Sequence, residues 1–138
     1  MFGHLAYSAV DPLPASLSPA WHDILRMELG FEGVTIADDM LILAHTGLPE
    51  YANPAENAIA ALAAGNTMLL YLLPANPAAE GIDSAGLVGS IVVAVDSGRL
   101  ETAQIDEDVY RLLMLRHTIF GQTGRFAVCG ADCQGALR

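Results

Sequence analysis

Residues 13–40 read LPASLSPAWHDILRMELGFEGVTIADDM, and this stretch decides the fold. Ser18 followed by Pro19 is the pattern of an N-cap with proline at the first helical position. Trp21, Ile24, Leu25, Met27 and Leu29 are the apolar positions of the helix that follows, and Gly30 is the glycine expected just past its end. Gly33-Val34-Thr35-Ile36-Ala37 is a β-branched run with the pattern of a buried strand. It ends on two adjacent carboxylates, Asp38 and Asp39. A helix that feeds a buried strand through a short turn is part of a βα repeat, and such repeats predict an α/β fold with parallel strands covered by helices.

The same alternation continues outward. Upstream, Met1 to Ala6 reads as a first short strand, and DPLPASLSP, broken by proline and serine, reads as a loop. Downstream, Met40 to Tyr51 reads as a loop with a short helical turn. The Ala-rich segment Pro54 to Ala64 reads as a helix closed by Gly65. Thr67 to Leu73 is apolar on both faces, as a buried parallel strand should be, and stops at Pro74. A polar linker leads to a helix from Leu87 to Ser97, ended by Gly98, and a last helix runs from Asp106, its expected N-cap, to Phe120. The domain is expected to occupy residues 1–120, with 121–138 an aperiodic tail. Cys129 and Cys133 fall in that tail; a CxxxC pair allows a disulfide or half a metal site, but no second ligand pair accompanies it, and two free thiols are the expectation.

Composition narrows the function. The 138 residues are 53% apolar and only 16% charged, against about 45–50% and about 25% in average soluble domains. The excess fits either a compact, fully buried unit or part of a larger core, and the second is the expectation here. The formal net charge of −10, with six basic residues scattered singly, argues against nucleic acid and against a polybasic membrane anchor. No apolar run reaches the length of a membrane span. The N-terminus lacks the basic region and long apolar stretch of a signal peptide, so the expected location is the cytoplasm.

Asp38 and Asp39 sit just past the C-terminal end of a buried strand, where α/β folds gather ligands and catalytic groups. Alternating side-chain direction lets one carboxylate face the site while the other turns to a neighbouring loop. Position alone leaves three chemical roles open: nucleophile, general base or metal ligand. It equally allows a solvated Asp38 beside an Asp39 that caps the following turn.

Residues 13–40 resemble glycoside hydrolase family 3, in its β-N-acetylhexosaminidase branch. Pro14 to Pro19 match the Pro-Ala-Ser-Leu-Ser-Pro motif of that family. Leu25 to Val34 match its Leu-Arg-x-x-Leu-Gly-Phe-x-Gly-Val, and Asp38 to Met40 its Asp-Asp-Met. The likeness continues through Ala63-Ala-Gly-Asn-Thr-Met-Leu-Leu70, Ser97-Gly-Arg-Leu100 and Ile105 to Arg111, and spans roughly Met1 to Arg116. It implies about the last three βα units of a (β/α)8 TIM barrel, a fold that needs about 250 residues when complete.

The resemblance further implies a retaining glycosidase of terminal β-N-acetylglucosaminides, with a carbohydrate partner and no cofactor or metal. Asp38 takes the place of the family nucleophile, and Asp39 is placed with the substrate-binding residues, supporting the loop and orienting Asp38. His4 matches the histidine of a Thr-Ala-His or Thr-Gly-His strand end, which leaves a substrate contact and a packed structural histidine both open. His22, His45 and His117 are expected to be solvated.

Three departures qualify the match. The Lys-His-x-Pro-Gly-His-Gly loop that carries the family's acid/base histidine occurs nowhere in the sequence. The segment after Met40 diverges, and Thr67 stands where an Asp is common. A nucleophile without a proton donor predicts negligible turnover by this chain alone. The alternative is a non-catalytic carbohydrate-binding module or decayed hydrolase. Three parallel strands also leave open sheet edges, which predict self-association.

Overall fold

The computed structural model describes residues 1–73 and 83–120. Pro74, the linker after it and the expected tail with Cys129 and Cys133 lie outside the described residues. The elements are β1 (Ala6–Tyr7), β2 (Asp11–Pro14), α1 (Pro19–Asp23), β3 (Ile36–Asp39), α2 (Leu41–Ala44), α3 (Pro54–Ala64), β4 (Met68–Leu70), α4 (Ser84–Asp96) and α5 (Thr102–Phe120). Short 3₁₀ turns cover Ala15–Leu17 and Pro49–Tyr51, and a π-turn at Ile24–Glu28 prolongs α1.

The expected α/β mixture is what forms, and β3 is its centre. On one side it pairs in parallel with β4, with Ile36 opposite Met68 and Ala37 opposite Leu69. On the other side Phe2 bridges Ala37 in parallel: Phe2 N–H donates to the Ile36 carbonyl and Asp38 N–H to the Phe2 carbonyl, each at 2.8 Å. A parallel pair needs a long crossover, and α2 with α3 supplies it. Asn53 caps α3 by accepting from the amides of Ala55 and Glu56, and Pro54 opens the helix. Ala58, Ile59, Ala61, Leu62 and Ala64 bury one face of it. One core cluster joins Leu17, Ala37, Met40, Leu43 and Ala61 directly beneath the Asp38–Asp39 turn. A second joins Ile59 and Leu62 of α3 to Ala94 and Leu100, beside α4 and α5.

Polar bonds tie the other end of β3 to α5. Thr35 Oγ1 donates to the Gly65 carbonyl at 3.0 Å, and Thr67 Oγ1 donates to Asp108 at 3.0 Å. Arg111 closes on the same carboxylate at 3.3 Å. Burial pushes the Asp108 carboxyl above its usual value, against the pull of those partners.

Several expectations need correction. The first strand expected from Met1 to Ala6 is a bridge at Phe2 followed by a bend at His4, and Ala6 already belongs to β1. The supposed loop DPLPASLSP contains β2, paired antiparallel with β1, because prolines are tolerated in a short edge hairpin. The strand read at Gly33–Ala37 lies at Ile36–Asp39: the carbonyls of Phe31 and Gly33 accept from Arg26 at 2.7 and 2.6 Å, which holds the approach out of the ladder. The strand read at Thr67–Leu73 is confined to Met68–Leu70. α4 begins at Ser84, where Asp83 caps it through the amides of Ala85 and Gly86. α5 begins at Thr102, with the Glu101 carbonyl receiving the amide of Ile105, so Asp106 lies inside the helix and is not its cap.

His22, expected in solvent, is only 3% exposed. Its ring stacks on Phe2 at 4.1 Å, and Nδ1 donates to the Ser18 carbonyl at 2.9 Å. It also explains Gly65: with φ at +112°, that residue has a backbone few side chains adopt, and a Cβ there would lie 3.1 Å from the ring. Burial depresses the His22 pKa below the ordinary 6.5, and the hydrogen bond to Ser18 and the nearby Asn66 only partly offset it; Arg26 lowers it further and Asp108 opposes. The unfolded chain therefore binds the proton first, and stability falls as pH drops through 6.5 towards the folded value. Urea unfolding at pH 7.5 and 5.5 should give the lower midpoint at pH 5.5, and His22→Phe should reduce that difference.

Candidate active site

The candidate site is built at the C-terminal end of β3, and the preceding sequence aims it. Arg26 lies 5.5 Å from the Phe31 ring while its guanidinium holds the Phe31 and Gly33 carbonyls. Ser18 accepts from the Trp21 amide, as expected of an N-cap, and donates to Asp11 at 2.7 Å, fixing β2 against α1. These bonds fix the path by which the chain enters β3.

The two carboxylates point to different tasks. Both are half-buried. Asp38 Oδ1 accepts from the Asp39 amide at 2.9 Å, a bond made within the turn itself. Asp39 Oδ1 accepts from the amides of Leu41, at 3.2 Å, and Leu72, at 3.0 Å. It thereby ties the start of α2 to the exit of β4. The ladder is irregular here, since the register shifts between Ala37 and Asp39. Such a bulge re-aims side chains, and bulges are common beside active sites.

His4 is brought to the same turn, where it meets the Asp39 backbone. Nε2 lies 2.9 Å from the Asp39 carbonyl and Nδ1 2.6 Å from Ser16 Oγ. Ser16 is fully buried, and its carbonyl accepts from Asn66 Nδ2 at 2.7 Å.

Two neighbours went unnoticed in the sequence. Ser16 is hidden inside the Pro-Ala-Ser-Leu-Ser-Pro run, and Tyr71 is the one aromatic of the apolar run 67–73. The Tyr71 hydroxyl donates to the Pro54 carbonyl at 3.3 Å. Burial, with the Asp39 charge second, pushes its pKa up to about 12, so it remains a donor. Among the described residues, no group of three His, Cys, Asp or Glu side chains is placed to hold a metal ion. No helix of these residues is long and apolar enough to cross a membrane.

A half-exposed carboxylate at the end of a parallel strand, steadied by its own turn, can act as nucleophile or base towards a ligand above the strand ends. Residues 1–115 match the family model described as "Glycosyl hydrolase family 3 N terminal domain". The chain belongs to glycosyl hydrolase family 3. A family relative, the beta-hexosaminidase of Nitrosomonas eutropha, is 36% identical over 116 residues, covering 83% of this chain and 32% of the relative. The chain thus spans about a third of that relative's length.

Solved structures superpose on it as well. The β-N-acetylglucosaminidase of Paenibacillus sp. str. FPU-7 is 28% identical with a TM-score of 0.66, covering 89% of this chain and 22% of its own. The β-N-acetylglucosaminidase of Thermotoga maritima, at 24% identity, a TM-score of 0.66 and coverage of 81% and 23%, shares the fold.

Proposed function

We propose that this chain is the nucleophile-bearing part of a retaining β-N-acetylhexosaminidase, contributing about the last three βα units of a (β/α)8 barrel. In this reading β3 and β4, with the parallel bridge at Phe2, stand for neighbouring strands of that barrel, and the site lies at the C-terminal end of β3. The observation that carries the reading is the position of the Asp38 carboxylate in a chain of this family: half-exposed at a strand end, with the adjacent Asp39 occupied by loop amides.

Asp38 attacks the anomeric carbon of a terminal β-N-acetylglucosaminide, forming a glycosyl ester as the aglycone leaves. Water then cleaves the ester with overall retention. Asp39 and His4 shape the floor of the sugar site. The group that protonates the aglycone is not in this sequence, which contains no Lys-His-x-Pro-Gly-His run. The chain alone therefore binds sugar without useful turnover.

Among the described residues, the outer edge of β4 and the exposed Val88, Val92, Val93, Leu113 and Ile119 of α4 and α5 make self-association the expected behaviour of the isolated chain.

A chromogenic β-N-acetylglucosaminide with an ordinary nitrophenyl leaving group tests the assignment. The expected result is negligible turnover by the intact chain and none by Asp38→Ala. Hydrolysis by the intact chain that persists in Asp38→Ala would remove Asp38 from the role.

A further inference from the structure

We infer that His4 and Ser16 are positioning residues for the Asp38–Asp39 turn, with His4 held in a single tautomer and left without a free nitrogen for substrate. The functional part of this inference rests on Asp38 being the reacting carboxylate; the geometry does not.

A carbonyl oxygen only accepts, so the 2.9 Å contact between His4 Nε2 and the Asp39 carbonyl requires the proton on Nε2. In the neutral ring Nδ1 is then an acceptor, and the donor it meets is the Ser16 hydroxyl at 2.6 Å. Both ring nitrogens are used within the protein, and no lone pair or N–H remains for a sugar hydroxyl. Ser16 cannot drift, because its amide donates to the Gly3 carbonyl at 3.0 Å and its carbonyl is held by Asn66. The chain of bonds therefore runs from the buried Asn66 through Ser16 and His4 to the backbone of Asp39.

That backbone is the one Asp38 depends on. The Asp39 amide donates to Asp38 Oδ1, and the Asp39 carbonyl is the group that His4 holds. The bulge between Ala37 and Asp39 has already broken the regular ladder at this point, so the turn needs partners from outside the sheet. His4 supplies one at the carbonyl, while the Asp39 carboxylate supplies others through Leu41 and Leu72. A histidine that meets a carbonyl on one side and a hydroxyl on the other is oriented as firmly as a second-layer ligand around a metal, and the logic of tautomer control is the same.

The test is long-range proton–nitrogen NMR on the intact chain labelled with ¹⁵N-histidine and ¹⁵N-aspartate. The expected His4 pattern is one fixed tautomer, with Nε2 protonated and Nδ1 at the shift of a hydrogen-bonded acceptor. In Ser16→Ala the Nδ1 signal should move to the free-acceptor position and the Asp39 amide should shift with it. Ser16→Thr, which keeps the hydroxyl, should restore both.

An averaged pair of tautomers, or a proton on Nδ1, would overturn the inference from the unaltered chain alone, even if Ser16→Ala does not fold. An Asp39 amide that stays in place when the Nδ1 signal moves would overturn the positioning role. None of these readouts uses a sugar, so failure of the hydrolase reading and failure of this one are told apart.

Discussion

An activated glycoside, 2,4-dinitrophenyl β-N-acetylglucosaminide, is expected to give a burst of up to one equivalent of dinitrophenolate with this chain and then stall. The reason is the division of labour in glycoside cleavage. A poor leaving group must be protonated as the bond breaks, and general acid–base help is worth about 10²–10⁴-fold. Dinitrophenolate leaves as a stable anion and needs no proton, so a carboxylate nucleophile suffices for the first step. The second step needs a base to activate water, and the sequence has no counterpart of the family's acid/base loop. Glycosylation should therefore outrun hydrolysis. Asp38→Ala should lose the burst altogether, while Ser16→Ala should slow it without removing it. Burst amplitude, followed by absorbance against active-chain concentration, is the measurement.

The second large effect is on stability and comes from Asn66→Asp. Asn66 is fully buried, and Nδ2 donates to the carbonyls of Ser16, at 2.7 Å, and Ala61, at 2.8 Å. The substitution keeps the shape and replaces that donor with a carboxylate oxygen facing two acceptors. Breaking a buried polar arrangement so that a charge is left uncompensated costs about 3–5 kcal/mol, against a total stability of about 5–15 kcal/mol for a typical domain. The sign with pH is fixed by linkage. A buried carboxyl with a raised pKa binds its proton more readily in the folded state, so the penalty is full at neutral pH and shrinks as pH falls. Once protonated, it recovers one donor. Urea midpoints for the variant and the unaltered chain, compared at pH 7 and again at pH 4.5, should differ most at pH 7. Equal midpoints at pH 7 would show that the Ser16 carbonyl has no need of Asn66.

Legibility in the sequence followed the range of the interaction. α3 could be read at both ends because its signals are local: Pro54 starts it and Gly65 stops it within one stretch of alanine. The end of α1 was equally local, marked by Gly30 with φ at +64°. The strands were displaced because β-propensity reports a side chain's fit to a half-buried surface and not its pairing. Val34 and Thr35 look as strand-like as Ile36, yet the ladder is positioned by Phe2 on one side and Met68 on the other. β2 was missed because Pro12 and Pro14 read as breaks, although an edge strand has room for them.

The same rule holds in the candidate site. Asp38 and Asp39 stood out because they end a β-branched run, and no long-range information was needed to notice them. Their supports were invisible: His4 is 35 residues from Asp39, and Asn66 is 50 residues from Ser16. His22 was misread for a related reason. A polar residue on a short helix suggests solvent, and only the packing of Phe2 and Gly65 against its ring turns it inward. Family resemblance supplied what propensity could not, by tying Pro14–Pro19 to Asp38–Met40 as parts of one pattern.

The measurement that bears most directly on the account is peptide mass spectrometry of the chain after brief exposure to the activated glycoside at mildly acidic pH, where a glycosyl ester survives. One N-acetylhexosaminyl group should be found on the peptide carrying Asp38, with fragmentation locating it on that residue, and the Asp38→Ala chain should carry none. Sugar attached to Asp39 or elsewhere, or complete release of dinitrophenolate with no adduct on Asp38, would contradict it.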